Sequence, residues 1–278
     1  MQSETFRFAG GGAASLSCRQ WRPASEPRTI ALLVHGYAEH GGRYAHVAER
    51  LVAAGHAVYA LDLRGHGLSP GVRADVRRFE DYLSDVEGLL AVVRERHPGR
   101  PVVLVGHSMG GAIAILFASR RGGELAALVT SGAGVKLGGR VPPLLVFVVR
   151  ALALLAPRLP LTPIDVEAVS RDAAVVARYR VDPLNYHGRI RARMGRELVR
   201  ATELIAAELH RIALPALILH GGGDRLADPE GSRMLHEGIV STDRRLVVYD
   251  GLYHEILHEP EREQVLDDLV GWLGERFA

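Results

Sequence analysis

The stretch V-L-V-G-H-S-M-G-G-A-I, from Val103 to Ile113, decides how this chain is read. Val102 to Val105 is an apolar, β-branched run of the kind buried in a parallel sheet. Gly106-His107-Ser108-Met109-Gly110 then fits the spacing G-x-S-x-G, which sets a serine at the tip of a tight strand-to-helix turn. Strand and helix nearly touch at such a turn, so the positions two before and two after the serine must lack side chains. Gly106 and Gly110 supply that room. Gly111 to Ala118 is small and apolar on nearly every face, so the helix it begins is buried. The N-terminus of that helix favours developing negative charge and points back at Ser108.

Outward from this turn, strands and helices alternate. Thr5 to Ala9 and Ser15 to Trp21 read as a hairpin at a sheet edge, joined through Gly10-Gly11-Gly12. Strands follow at Thr29 to His35 and Ala57 to Leu61, with a helix between them ending near Ala54. Phe79, Tyr82, Leu83, Val86, Leu89, Leu90 and Val93 line one helix face, closed by Pro98-Gly99. Beyond the turn comes a strand from Leu125 to Thr130. Alternation stops at Gly134 and resumes at Leu214 with strand Pro215 to His220, helix Pro229 to Gly238, strand Arg245 to Tyr249 and a last helix from about Pro260 to Phe277. The expectation is an α/β fold built on a mostly parallel, doubly wound sheet, with its site at the strand C-termini. Residues 1–134 and 214–278 form the core, and 135–213 is an inserted helical cap with no clear strand.

Composition narrows the function classes. The chain has 278 residues, of which 47% are hydrophobic and 24% charged, enough for a sizeable core. Its net charge of +2 gives no nucleic-acid footprint. Cys18 is the sole cysteine, so no internal disulfide forms, and the start, Met1 to Gly12, has no apolar signal region. The expected setting is therefore the cytoplasm.

A serine hydroxyl is a weak nucleophile until a base takes its proton and a carboxylate orients that base. In folds with this turn the chain order is serine, acid, histidine. Of thirteen histidines only His254 and His258 lie beyond the last strand. His254 sits in the loop D-G-L-Y-H-E leaving that strand and is chosen as base, while His258 reads as a surface or capping residue. Two acids follow strand Pro215 to His220. Asp228, before Pro229-Glu230, reads as a helix N-cap. Asp224, in Gly221-Gly222-Gly223-Asp224, has no capping role and sits in a loop expected to be flexible enough to aim it at His254. The oxyanion donors are the amides of Met109 and, from the loop His35-Gly36-Tyr37, of Tyr37. Glu39, His40 and Arg43 read as a polar network holding that amide, and Asp62, Arg64 and His66 as turn and ion-pair structure.

Within the cap, Pro142 to Leu155 is apolar nearly all round but too short, and interrupted by Arg150, to span a membrane. Core burial is its default; the alternative is a ligand-entry or membrane-contact face. Arg178, Arg180, Arg189, Arg191, Arg193, Arg196 and Arg200 read as a solvated helix face, with attraction to anionic headgroups as the second reading.

G-H-S-M-G-G-A-I-A-I-L from Gly106, H-G-Y-A-E-H-G-G-R-Y from His35, L-D-L-R-G-H-G-L-S from Leu61, G-G-D-R-L-A-D from Gly222 and Y-H-E-I-L-H-E from Tyr253 together resemble the monoacylglycerol lipases of the α/β-hydrolase fold. The likeness extends into the cap at Pro163 to Asp165, Ser170 to Asp172 and Asp182 to Leu184. It implies Ser108 as nucleophile, Asp224 as acid, His254 as base and oxyanion amides at Tyr37 and Met109. It also implies a lipid ester substrate, no metal or cofactor, and a lipophilic cap that touches membranes. Tyr37 stands where the family often has a small residue, and its side chain either narrows the acyl pocket or points away. Lysophospholipases share most of these motifs, so lysophospholipase or general carboxylesterase activity is the alternative. An acyltransferase would use the same residues, and a fold-sharing binding protein is the rival from outside the enzymes.

Overall fold

The computed structural model describes residues 1–136 and 143–278. In chain order its elements begin with β1 (Gln2–Ala9), β2 (Ser15–Arg22), β3 (Ile30–Val34), α1 (Ala45–Ala53), β4 (Ala57–Leu61), α2 (Glu80–Arg96), β5 (Val102–His107), α3 (Met109–Arg121) and β6 (Ala127–Ser131). Next come α4 (Pro143–Leu155), β7 (Pro160–Thr162), α5 (Ala173–Val181), β8 (Ile190–Arg191) and α6 (Ala192–Glu208). The chain closes with β9 (Ala216–Gly221), α7 (Pro229–Gly238), β10 (Arg244–Tyr249) and α8 (Arg262–Arg276). Among the described residues, eight strands form one sheet in the order β1-β2-β4-β3-β5-β6-β9-β10. From β4 to β10 all neighbours pair in parallel, and the antiparallel β1–β2 hairpin closes one edge.

Because a parallel strand is covered on both faces, its alternate residues feed two different cores. Ile30, Leu32 and Val34 of β3, with Val102 and Leu104 of β5, pack under α2, α3 and α6. Ala31, Leu33, Val103 and Val105 pack on the other side, under α1 and α8. Each fully buried leucine in these layers contributes about 1.5–3 kcal/mol. Reversal of strand order on either side of β3 and β5 leaves a crevice at the strand C-termini. The loops after β3, β5, β9 and β10 all open into it.

Between β6 and β9 the structure departs from expectation in three ways. β7 and β8 pair as a small antiparallel ribbon where no strand was expected; at three and two residues they are too short for an alternating pattern to register. The apolar helix α4 is not buried. It lies along α6 and sinks Ala153 there, but Leu144, Phe147, Val148, Leu154 and Leu155 face outward, Phe147 with 69% and Leu155 with 85% of its surface exposed. Among the described residues its main packing partner is the single helix α6, so an all-round apolar sequence leaves one side open. Pro142 of that expected segment lies outside the described residues.

Most arginines of the segment are anchors more than a solvated face. Arg193 pairs with the buried Asp75, Arg200 with Glu80 and Glu197, Arg196 with Glu197, and Arg180 with Glu167. Arg191 and Arg189 donate to the carbonyls of Arg73 and Leu161. The charge of Arg189, Arg191, Arg193, Arg196 and Arg200 is thus largely spent on holding α6 and the β7–β8 ribbon, while Arg178 and Arg180 on α5 are exposed, as a solvated face requires.

Candidate active site

Ser108 caps α3 with φ 54° and ψ −118°, a left-handed backbone that a side-chain-bearing residue rarely adopts. Such a residue costs of order 1–3 kcal/mol and persists only where its surroundings over-determine it. Here the Ser108 amide donates to the Ser131 carbonyl, and its own carbonyl accepts from Ala112 and Gly134. A Cβ on Gly106 would lie 2.3 Å from the Gly110 carbonyl oxygen, and one on Gly110 only 2.1 Å from that of Val34. The two glycines are required by close approach of strand and helix, as their spacing indicated.

His254 and Asp224 arrive from two loops bound to each other. The amides of Gly222 and Gly223 donate to the carbonyls of Tyr249 and Leu252. A Cβ on Gly221 would meet the Tyr253 carbonyl oxygen at 2.2 Å. The glycine run therefore serves tight packing, not the flexibility expected of it. His254 Nε2 lies 2.8 Å from Ser108 Oγ and its Nδ1 lies 2.7 Å from Asp224 Oδ2. Asp224 Oδ1 accepts from the amides of Leu226 and Ala227. Asp228 caps α7 by accepting from the Glu230 amide and pairs with Lys136, and its carboxylate takes no part in this line of bonds.

The loop after β3 passes against the elbow: a Cβ on Gly36 would stand 3.0 Å from Ser108 Cβ. His35 governs the next peptide. Its Nε2 accepts from the Leu63 amide, so its proton sits on Nδ1, which donates to the Gly36 carbonyl at 2.7 Å. A trans peptide points its C=O and N–H in opposite directions, so this bond aims the Tyr37 amide away from His35. Glu39 accepts from the Gly36 amide and from Tyr44, and Arg43 bridges Glu39 to Glu255 through two parallel bonds to the latter. The expected loop network is present in part: Glu39 and Arg43 hold the Gly36 amide in place of the Tyr37 amide expected, and His40 turns to Asp182 and the Gly42 amide. Tyr37's hydroxyl donates to the Ala74 carbonyl at 3.0 Å and its ring meets His66 edge-on, so the side chain forms cavity wall.

One histidine lies elsewhere than its position in the chain suggests. His258 is buried, not on the surface: it packs between Tyr44 and His46, and its Nε2 bonds the Arg43 carbonyl. Burial, reinforced by Arg43's charge, pushes it down to about 3. Asp62, Arg64 and His66 form the expected turn and ion pairs, with Asp62 on Arg19, Arg64 on Asp85 and the His66 amide donating to the Leu63 carbonyl; His66 is enclosed there and burial pushes it down to about 3. Neither His220 nor Glu255 was singled out from the sequence. Glu255 reaches Arg43 across 212 positions, a separation no local pattern encodes, whereas His220 stands only four positions before Asp224 and ends a buried strand, where a histidine looks like core.

Ser108 and His254 open on a cavity of about 290 Å³, lined by Tyr37, Met109, Ile164, Ile190, Leu198 and Leu226. That is close to the lower bound of about 300–1,000 Å³ usual for small-molecule sites, and its walls are mainly apolar. Among the described residues no cluster of histidine, cysteine or acid side chains has metal-site geometry. Burial pushes His107, its ring tilted at 52° to that of His254 with centroids 4.8 Å apart, down to about 4. On His254 burial also acts downward, but the Asp224 charge and hydrogen bond outweigh it and hold the imidazole above its ordinary range. On Asp224 burial acts upward and the two neighbouring imidazoles reverse it, keeping the carboxylate ionised. A base must be neutral to accept a proton, so kcat/KM for ester hydrolysis is expected to fall on the acid side with a midpoint above the ordinary imidazole value of about 6.5. A rate profile between pH 5 and 9 checks this; a midpoint clearly below 6.5 would contradict the role of Asp224.

A hydrolase family model described as "Serine aminopeptidase, S33" matches residues 25–261. The chain is 43% identical to the monoacylglycerol lipase of Mycolicibacterium smegmatis over 266 residues, 96% of this chain and 95% of that one. It is 36% identical to the human monoglyceride lipase, over 95% of this chain and 88% of the relative. Among solved structures, the monoacylglycerol lipase of Paleococcus ferrophilus superposes with a TM-score of 0.85 at 32% identity, covering 94% of this chain and 99% of that one.

Proposed function

This chain belongs to the serine aminopeptidase S33 family of α/β-hydrolases and, within it, to the monoacylglycerol lipases, and from that premise we propose that Ser108, His254 and Asp224 cleave monoacylglycerols to fatty acid and glycerol. His254 Nε2 takes the Ser108 proton as Oγ attacks the ester carbonyl. The amides of Met109 and Tyr37 receive the oxyanion, and glycerol leaves with the proton from His254. Water then enters, activated by the same imidazole, and releases the acid from serine. The observation that carries this reading is the unbroken line of short bonds from Asp224 through His254 to Ser108 at the floor of an apolar cavity.

The test is turnover of purified protein on a long-chain monoacylglycerol, the matching lysophosphatidylcholine and a short p-nitrophenyl ester. A kcat/KM for the monoacylglycerol at least tenfold above that for the lysophospholipid is expected. If only the short ester turns over, the triad stands and the lipase assignment does not.

The segment 135–213 serves in this proposal as the cap that collects substrate. No helix among the described residues is long and apolar enough to cross a membrane. The outward face of α4 is instead suited to lie on a lipid surface, where buried apolar area drives binding. Changing Leu144 and Phe147 to serine, both exposed, removes much of that area. Vesicle sedimentation is expected to weaken about tenfold or more, with hydrolysis of a dissolved short ester unchanged. Equal vesicle binding by the variant would remove the membrane-contact role.

A further inference from the structure

We infer that His220 and Ser232 form a positioning pair for Asp224, presenting its carboxylate to His254; this rests on the triad reading above. The His220 side chain, at the end of β9, and Ser232 in α7 are both fully enclosed. His220 Nε2 lies 3.1 Å from Asp224 Oδ2 and 3.2 Å from the Ala227 carbonyl oxygen. Both partners are acceptors, so Nε2 carries the proton. Nδ1 is then bare and accepts from Ser232 Oγ at 2.6 Å. The serine hydroxyl thereby selects the histidine tautomer, much as His35 is fixed by a backbone amide on the far side of the site.

This completes four donors around the Asp224 carboxylate. Two backbone amides hold Oδ1, and two imidazole N–H groups, from His254 and His220, share Oδ2. Without His220, Oδ2 is held by His254 alone, the group that must be free to move its proton. Ser232 is itself well seated. Asp228 caps its helix and pairs with Lys136, and Gly231 passes so close that a Cβ would stand 2.8 Å from the Lys136 amide nitrogen. In metal sites, partners of this outer kind typically change activity 10–100-fold when removed, because they orient a ligand they do not replace.

The test compares His220→Leu, His220→Gln and Ser232→Ala in the full chain. Glutamine can present an amide N–H where His220 Nε2–H stands; leucine cannot. His254 is faced by Asp224, His107, Glu39 and Glu255, all unchanged in these variants, so a moved acid limb of kcat/KM reads Asp224. For His220→Leu, kcat on a monoacylglycerol is expected to fall about tenfold or more with KM within about twofold. Its acid limb should move to higher pH, because a carboxylate relieved of one donor acts more fully on His254. The low-field proton of His254 Nδ1 should shift in the same variant. His220→Gln should recover most of the rate, and Ser232→Ala, a milder change, should fall between. Unchanged kcat in His220→Leu, or a loss that follows only folded fraction while acid limb and low-field proton stay put, would overturn the inference. An active Ser108→Ala protein would instead overturn the triad reading beneath it, so the two failures are distinguishable.

Discussion

A Ser108→Ala protein is expected to lose about 10⁵-fold or more of its turnover on every ester it accepts, while folding normally. The single atom removed is the one bonded to His254 Nε2. Without it no acyl-enzyme forms, and His254 can only activate water against an ester for which the pocket is not arranged. What survives is the oxyanion site and binding, worth about 10³–10⁴ over the uncatalysed rate in enzymes of this logic. Stability is expected to change by no more than about 1 kcal/mol, because alanine keeps the Cβ and meets the same backbone strain at φ 54°. Paired assays by turnover, fluorophosphonate labelling and thermal melting check both halves. Hydrolysis within tenfold of the parent protein would show that another group is the nucleophile.

The elbow could be read from sequence because its requirements are local: two glycines, a serine and the elements on either side lie within a dozen residues. The mostly parallel, doubly wound sheet and the ordered triad followed from alternation and from what each loop must carry. Other features depended on partners far away in the chain. Arg43 joins Glu39 to Glu255 across 212 positions, and no pattern around Arg43 announces it. The enclosure of His258 is set by Tyr44 and His46, which reach it from the loop after β3 and from α1. The outward face of α4 was hidden for another reason. An all-round apolar helix has no polar side to mark which face is free, so only the count of neighbours in three dimensions decides it. His220 was passed over because a histidine ending a buried strand looks like core, and its role appears only when its two nitrogens are matched to Ser232 and Asp224.

Asp224→Asn is expected to reduce kcat about 10⁴-fold, and Asp228→Asn to leave it within about twofold. An asparagine at 224 keeps the shape but owns one acceptor oxygen where four N–H groups now converge. The amides of Leu226 and Ala227 are fixed in the backbone and cannot turn away, so they hold the oxygen. The amide NH₂ then faces His254 Nδ1, which must give up its proton to accept that bond. The imidazole consequently carries its proton on Nε2 and donates to Ser108 where it should accept, so the base is lost by tautomer as well as by charge. At 228 the same change is mild. Asparagine caps a helix about as well as aspartate. What is lost is the pair with Lys136, whose members keep 31% and 46% side-chain exposure, and pairs at such exposure contribute about 0–1 kcal/mol. Steady-state turnover of the two variants side by side, with melting curves for each, separates the carboxylate that works on His254 from the one that starts a helix. Equal losses at both positions would mean that Asp224 acts only through the fold of its loop.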